Sequence, residues 1–598
     1  MRTLGLSFLL LYMSGCACFR PDPALEALPA PSHPEDAELM LESVADPLEP
    51  INRMAFALDT VLFTTALEPA SRGYQALVPS KARQRVRNFS HNLAYPVRLS
   101  SNLLQGEWKH AGTETKRFLI NTTEGFLGFG DPAATKYQIY LADEDLGQTL
   151  GVWGWEPSVY LHVPILGASS VRDALGTTGD VFLDPATQIP PLKVGLRLNK
   201  QTFLTESTRQ LLDTEQDAYT LNKLYYSQRR ALEVANTQPT LEGENTAQTQ
   251  TLMTVFNRPK DPKFGQRAEE ITVQPEGFRR ALPASVWKQA SPAPVALIMP
   301  GLGGHRLSTR ALALSELAYA EGYHVVCFSN NLNWEFIKAA PEGYLPGFLD
   351  DDLKYLRLIH DAMMSSLSNT TGKPAVMGFS MGGWYTLNLV ATQPANTYSK
   401  ALAINPPLDL NTGLKALDRL YRAPAGREDL DAIRKSALIK LLVNQNSTPA
   451  EGQRMPFSDV EASYLVGLSY RFTLTQTIMT SHRIRPSAEA HRRINAFSWA
   501  DYYQKLVLPA LTERGISAEA LADASNLRTR EAGLVADPNL KLVLTGNDFL
   551  LTSDDLAWFR ERFPGDRTLF SETGGHMGQL WQGDVRQAMG IAIRPDSE

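Results

Sequence analysis

The segment Pro374-Ala375-Val376-Met377-Gly378-Phe379-Ser380-Met381-Gly382-Gly383 constrains the fold more than any other stretch of this 598-residue chain. A short apolar run leads into Gly378, a helical pattern runs from Trp384 to Ala391, and Gly-x-Ser-x-Gly stands between them. Glycines on both sides of Ser380 permit a turn too tight for residues with a Cβ. Such a turn lifts the serine hydroxyl above the end of a strand. The bare motif recurs by chance. The strand before it, the helix after it and a third small residue at Gly383 make it informative.

The neighbouring sequence agrees. Val295–Met299, His324–Phe328, Ala375–Met377, Ala401–Ile404 and Leu542–Leu544 are short apolar, β-branched runs. Helical periods, as at Thr309–Glu321 and Leu353–Leu367, separate most of them. This alternation predicts a mostly parallel sheet with helices on both faces.

A serine hydroxyl attacks only when a base takes its proton and an acid orients that base. Leu542-Val543-Leu544-Thr545-Gly546-Asn547-Asp548 places a carboxylate just past a strand. Thr573-Gly574-Gly575-His576-Met577-Gly578 then places a histidine in a glycine loop with room to project its ring. Asp409, after another strand, is the alternative acid. An oxyanion needs preorganised donors. The Met381 N–H at the start of the helix is one candidate. The Leu302 N–H in Met299-Pro300-Gly301-Leu302-Gly303-Gly304-His305 is the other. A dinucleotide site competes for that glycine loop, but the Gly-x-Gly-x-x-Gly spacing is missing.

With serine, acid and histidine in that chain order, residues 271–598 resemble the α/β-hydrolase superfamily, in particular its esterase and lipase-like members. The mainly helical stretch at about 411–537 resembles a cap that excludes water and shapes the acyl site. The resemblance implies acyl transfer to water, with Ser380, Asp548 and His576 as catalytic residues. A peptidase, a non-lipid esterase and a catalytically idle fold stay open.

At the other end, residues 1–15 carry Arg2, an apolar run from Leu4 to Met13, and small residues, the order of a secretory signal. The run is about half of the roughly 20 residues a bilayer crossing needs. Met13-Ser14-Gly15-Cys16 resembles the bacterial lipobox, in which the cysteine is acylated; an ordinary signal peptide with an incidental cysteine is the alternative. Ala17 in place of aspartate then implies sorting to the outer membrane. Residues 16–42, rich in Pro, Ala, Glu and Asp, read as an extended tether. A second aperiodic polar stretch, 236–270, reads as a linker between two domains. A third cysteine besides Cys16 and Cys18, Cys327, lies in an apolar strand pattern that suits a buried, inert thiol.

Between them, residues 43–235 alternate apolar runs with Gly, Pro and Asn, and no spacing of His, Asp or Glu suggests metal or acid–base work. Asp46-Pro47-Leu48-Glu49-Pro50-Ile51-Asn52-Arg53 followed by Phe56 resembles the opening signature of the MlaA (VacJ) family. Similarity continues through Arg87-Asn88-Phe89, Asn102-Leu103-Leu104-Gln105-Gly106 and Arg117-Phe118-Leu119-Ile120-Asn121. It runs on through Glu144–Gly154 to Pro164–Asp173. Phe63, Glu68 and Glu156-Pro157 depart from the family's pattern. The resemblance implies a mainly helical domain seated in the outer membrane beside trimeric porins. It also implies removal of outer-leaflet phospholipid to a periplasmic carrier protein. Arg53, Arg117 and Asn121 read as scaffold, and no lipid-binding residue is assigned.

Composition adds exclusions. A net charge of −6 and a pI near 6.0 lack the basic footprint of a nucleic-acid binder. Three cysteines exclude a disulfide scaffold and a Cys₄ zinc site. No metal or cofactor is expected. The resemblances together imply a multidomain architecture: a helical lipid-handling domain, then a periplasmic hydrolase, lipid-anchored to the outer membrane.

Overall fold

The computed structural model describes residues 22–596, apart from 42, 158, 237–242 and 445–453. The signal segment and Cys16 lie outside the described residues. The chain divides into two units, Leu41–Gln238 and Asp22–Met40 with Pro239–Glu598.

The first unit is built mostly of helices, among them Glu49–Leu62, Ser80–Leu93, Trp108–Thr123, Pro190–Thr214 and Ala218–Ala235. A small antiparallel hairpin, β1 (Tyr160–Val163) with β2 (Gly167–Ser170), interrupts them. Its polarity is inverted relative to a water-soluble bundle. Ile51, Leu58, Val61, Leu119 and Phe182 are exposed, while Arg98, Glu114, Arg117 and Asn121 are buried. Exposed apolar side chains of this kind suit a lipid environment. No helix among the described residues is long and apolar enough to cross a membrane.

The opening signature has a structural reason. Asp46 accepts hydrogen bonds from Asn52 Nδ2 at 2.8 Å and Lys223 Nζ at 3.1 Å. Arg53 forks onto Asp217 at 2.8 and 3.0 Å and also meets Glu49 at 2.8 Å. These bonds clamp the entry of the first long helix to the last one. Arg53 is thus held by two carboxylates within the first unit.

The second unit holds an eight-stranded sheet. In chain order its strands are β3 (Glu269–Val273), β4 (Leu282–Trp287), β5 (Val295–Met299), β6 (His324–Phe328), β7 (Ala375–Phe379), β8 (Ala401–Ile404), β9 (Leu540–Thr545) and β10 (Thr568–Ser571). They lie in the order β10-β9-β8-β7-β5-β6-β4-β3. Every pairing from β10 to β6 is parallel, whereas β4 pairs antiparallel with β6 and with β3. Strands β5 to β8 are buried throughout, as a sheet covered on both faces requires. This order is that of an α/β-hydrolase fold. The antiparallel pair β3–β4 was absent from the apolar-run reading because Glu269, Glu270 and Thr272 stay solvated at the sheet edge.

Four helices position the site: α1 (Ala247–Thr251), α2 (Met381–Ala391), α3 (Leu410–Tyr421) and α4 (Asp459–Ser481). The last two belong to the helical insertion between β8 and β9, where the cap was expected.

Two boundaries differ from the sequence reading. Residues 22–40 are no free tether; they pack on the second unit as a strap. Leu25, Leu28 and Leu39 are buried, and Tyr464 Oη donates to the Leu39 carbonyl at 2.7 Å. Asp36, 1% exposed, lies 3.2 Å from Arg422 and 3.8 Å from Arg471. Part of the expected linker 236–270 is likewise structural, since α1 and the start of β3 fall within it. Proline-rich and polar segments show no period, so their partners are invisible until the chain is folded.

Candidate functional site

Ser380 closes β7 and opens α2 with φ 55° and ψ −124°, a left-handed conformation that few non-glycine residues adopt. The flanking glycines are sterically required. A Cβ on Gly378 would stand 2.2 Å from the Gly382 carbonyl, and one on Gly382 would stand 2.0 Å from the Met299 carbonyl. The structure thus explains the spacing: the backbone passes too close to itself for side chains.

Beside it, His576 Nε2 lies 2.9 Å from Ser380 Oγ, and His576 Nδ1 lies 2.8 Å from Asp548 Oδ2. The carboxylate neighbour assigns the proton to Nδ1 and leaves Nε2 as the acceptor of the serine proton. All three side chains are buried. Asp548 is itself held by Asn405 Nδ2 at 2.9 Å and by the Leu550 N–H at 3.0 Å. Asp409 lies elsewhere, as the N-cap of α3, where it accepts from the Thr412 N–H at 2.7 Å.

The histidine loop leans on residues that local pattern did not single out. Thr251 Oγ1 accepts from the His576 N–H, and Gln250 Oε1 accepts from the Gly574 N–H, both at 2.8 Å. Both come from α1, in the polar stretch expected to be linker. Asn405, just past β8, has φ 45°. An asparagine directly after a strand was the available signal for it.

Leu302 and Met381 line the cavity that opens on Ser380, together with Leu410, Leu414, Leu417 and Leu550. The Leu302 loop is clamped by Asn330, whose Oδ1 accepts from the Gly303 N–H at 3.1 Å, and by Asn333, which donates to the Gly303 carbonyl at 2.8 Å. Rigid clamping of that kind is what an oxyanion donor needs, because its dipole must be aimed before charge develops. The cavity measures about 20 Å³. That is room for about one water. Cys327 in β6 is buried, and burial pushes its thiol up to about 12, so it stays unreactive.

Behind α2 lies a buried carboxyl, Asp352, bonded by Tyr344 Oη at 2.6 Å, Tyr385 Oη at 2.7 Å and the Gly347 N–H at 3.1 Å. Burial pushes it up to about 6 from 3.8. The folded protein therefore binds this proton more tightly than the unfolded chain. The associated stability is full below pH 4 and is lost as pH rises through 6, worth about 3 kcal/mol. Asp352→Asn should flatten the pH 4–7 profile by that amount in paired urea titrations. Parallel profiles for the two proteins would refute it.

The first unit has its own polar cavity of about 480 Å³, lined by Arg87, His91, Arg98, Arg117, Asn121 and Asp131, with others. Arg117 and Asn121 hold Asp131 at 2.6 and 2.9 Å, so both are paired as well as cavity-facing. Burial holds the His91 imidazole below its usual value, which keeps it neutral in this wall. Glu144 is pushed up to about 7 by burial and accepts from Gln105 Nε2 at 2.8 Å.

Residues 44–233 match the model of the MlaA lipoprotein family. The chain is 30% identical over 190 residues to the intermembrane phospholipid transport system lipoprotein MlaA of Haemophilus influenzae, covering 30% of this chain and 76% of that lipoprotein. It is 31% identical over 196 residues to the protein of the same description from Escherichia coli, covering 31% and 76%. The second unit overlays an esterase from Pyrococcus furiosus at 12% identity and a TM-score of 0.32, over 56% of this chain and 96% of that one. Strand order, not that likeness, identifies its fold. Through its first unit the chain belongs to the MlaA lipoprotein family, and later in the sequence it carries an α/β-hydrolase fold.

Proposed function

We propose that this chain is an outer-membrane lipoprotein, acylated at Cys16, that moves phospholipid through residues 43–235 and hydrolyses acyl esters in the periplasm through residues 271–598. Family membership and the inverted polarity of the first unit support the transport role, with trimeric porins and a periplasmic lipid carrier as partners. The observation that carries the hydrolase role is the relay Ser380–His576–Asp548, at 2.9 and 2.8 Å, opening on a leucine-lined cavity.

In this reading Ser380 Oγ attacks the acyl carbonyl carbon while its proton passes to His576 Nε2. Asp548 steadies the imidazolium that forms, and the Leu302 and Met381 N–H groups receive the oxyanion. His576 then protonates the departing alkoxide, which leaves as alcohol. Water repeats the sequence on the acyl-enzyme and releases the carboxylic acid. An apolar cavity next to the nucleophile suits an acyl chain. A membrane lipid delivered by the first unit would reach the site at high effective concentration.

The test is incubation of the full-length protein in detergent with a fluorophosphonate probe, then with phospholipid micelles and with short acyl esters. Probe labelling with fatty-acid release from phospholipid is expected. Ester turnover without phospholipid turnover would remove the lipid substrate, and absence of both would leave an idle fold. In cells, deleting residues 43–235 should raise outer-leaflet phospholipid and detergent sensitivity; normal asymmetry would count against transport.

A further inference from the structure

The loop that carries His576 is gripped from outside the sheet. Gln250 Oε1, on α1, accepts from the Gly574 N–H and from Asn547 Nδ2, both at 2.8 Å. Asn547 directly precedes Asp548, so one amide oxygen joins the acid loop to the histidine loop. Asn547 Oδ1 adds a second tie by accepting from the Gly575 N–H at 2.9 Å. Thr251 Oγ1 accepts from the His576 N–H at 2.8 Å and donates to the Ala247 carbonyl at 2.7 Å.

The glycines of the histidine loop show how close α1 comes. A Cβ on Gly575 would stand 2.0 Å from the Ala247 carbonyl oxygen, and one on Gly578 would stand 2.0 Å from the Gln250 carbonyl oxygen. These glycines admit α1 as well as leaving room for the imidazole. The short helix is itself secured. Thr246 and Thr249 form a reciprocal capping box at its start, and Thr249 and Thr251 are buried. Just upstream, the Glu244 N–H donates to the Phe457 carbonyl at 2.9 Å, one residue before Ser458, the N-cap of α4. Residues 244–251 therefore tie the entry of α4 to the loops that bear Asp548 and His576.

Resting on the triad reading above, we propose that Gln250 and Thr251 are positioning residues for catalysis, so that the segment following the first unit in the chain completes the hydrolase site. Neither side chain touches the reacting atoms. Thr251 fixes the backbone at His576 and hence the height of the imidazole against Ser380. Gln250 fixes the separation of the two loops and hence the contact of His576 Nδ1 with Asp548. Those contacts are 2.9 and 2.8 Å, and a loop shift of about 1 Å is enough to break either one.

The experiment compares full-length wild type with Thr251→Val, Thr251→Ser, Gln250→Met and Gln250→Glu. Valine and methionine keep the size and remove the acceptor, whereas serine and glutamate keep an acceptor oxygen. Two quantities are read: the rate of fluorophosphonate labelling, and kcat and KM on p-nitrophenyl butyrate per labelled site. Thr251→Val should lower the labelling rate and kcat by about 10²-fold with KM unchanged, and Gln250→Met by about 10-fold. Serine and glutamate should restore most of each loss. In a His576→Ala background Thr251→Val should cost nothing further, because it acts through that histidine. Fewer labelled sites with wild-type kcat per site would overturn the proposal, since the two residues would then hold only the fold. Serine and glutamate variants as slow as valine and methionine would overturn it too. Labelling that survives Ser380→Ala would instead sink the triad reading itself.

Discussion

Ser380→Ala should abolish fluorophosphonate labelling and lower ester turnover on the order of 10⁵- to 10⁶-fold, to the level left by binding and oxyanion stabilisation alone. The melting temperature should stay near that of wild type. The Oγ atom serves the relay to His576, and its removal relieves nothing but the hydroxyl in a turn that Gly378 and Gly382 already permit. His576→Ala should come close to the same loss, because members of a triad act as a unit and their removals are not additive. Asp548→Asn should cost on the order of 10⁴-fold, since an amide at the 2.8 Å contact favours the wrong imidazole tautomer. Asp409→Asn supplies the control. Its carboxylate caps α3 through the Thr412 N–H, so the expected change is in stability, about 1 kcal/mol or less, and not in kcat. A severe catalytic loss in Asp409→Asn with a mild one in Asp548→Asn would reverse the acid assignment.

Breaking the Arg98–Glu114 pair should destabilise the first unit by about 3–5 kcal/mol. Arg98 Nε donates to Glu114 Oε2 at 2.9 Å, and the two side chains are only 4% and 3% exposed. Glu114→Ala strands a guanidinium that cannot lose its proton in surroundings that solvate it poorly. Replacing both partners, Arg98→Met with Glu114→Leu, should recover most of the loss, because the pair's attraction does little more than offset its own desolvation. Thermal unfolding in detergent micelles reads both steps. In cells the single variant should lower abundance and raise outer-leaflet phospholipid. A Glu114→Ala protein as stable as wild type would mean that water in the adjoining cavity solvates Arg98.

Much of the Ser380–His576–Asp548 arrangement was legible in one dimension because its constraints are local. The elbow at Ser380 demands small residues at fixed offsets, and the apolar runs of β5 to β8 are unbroken because both faces of the sheet are covered. A carboxylate after β9 and a histidine among glycines follow from the same sheet-end geometry. The first unit was legible differently: the signature around Asp46 marks bonds to Lys223 and Asp217 that reach the far end of the unit, and no local rule announces them.

What only the tertiary structure decided is everything carried by contacts distant in sequence. Asp409 and Asp548 are equivalent as carboxylates after strands; the fold turns one toward a helix N-terminus and the other toward His576. Gln250 and Thr251 sit in a polar stretch without period, yet their side chains brace the histidine loop. Residues 22–40 have the composition of a tether, yet Leu25, Leu28 and Leu39 find a surface to bury against. Tyr470 is one of many aromatic residues in a helical insertion until α4 sets it in the wall of the cavity at Ser380. The physical reason is common to all four. Local sequence specifies backbone conformation through sterics and periodicity, whereas the partner of a polar side chain is chosen by the packing of elements that meet only in the folded chain.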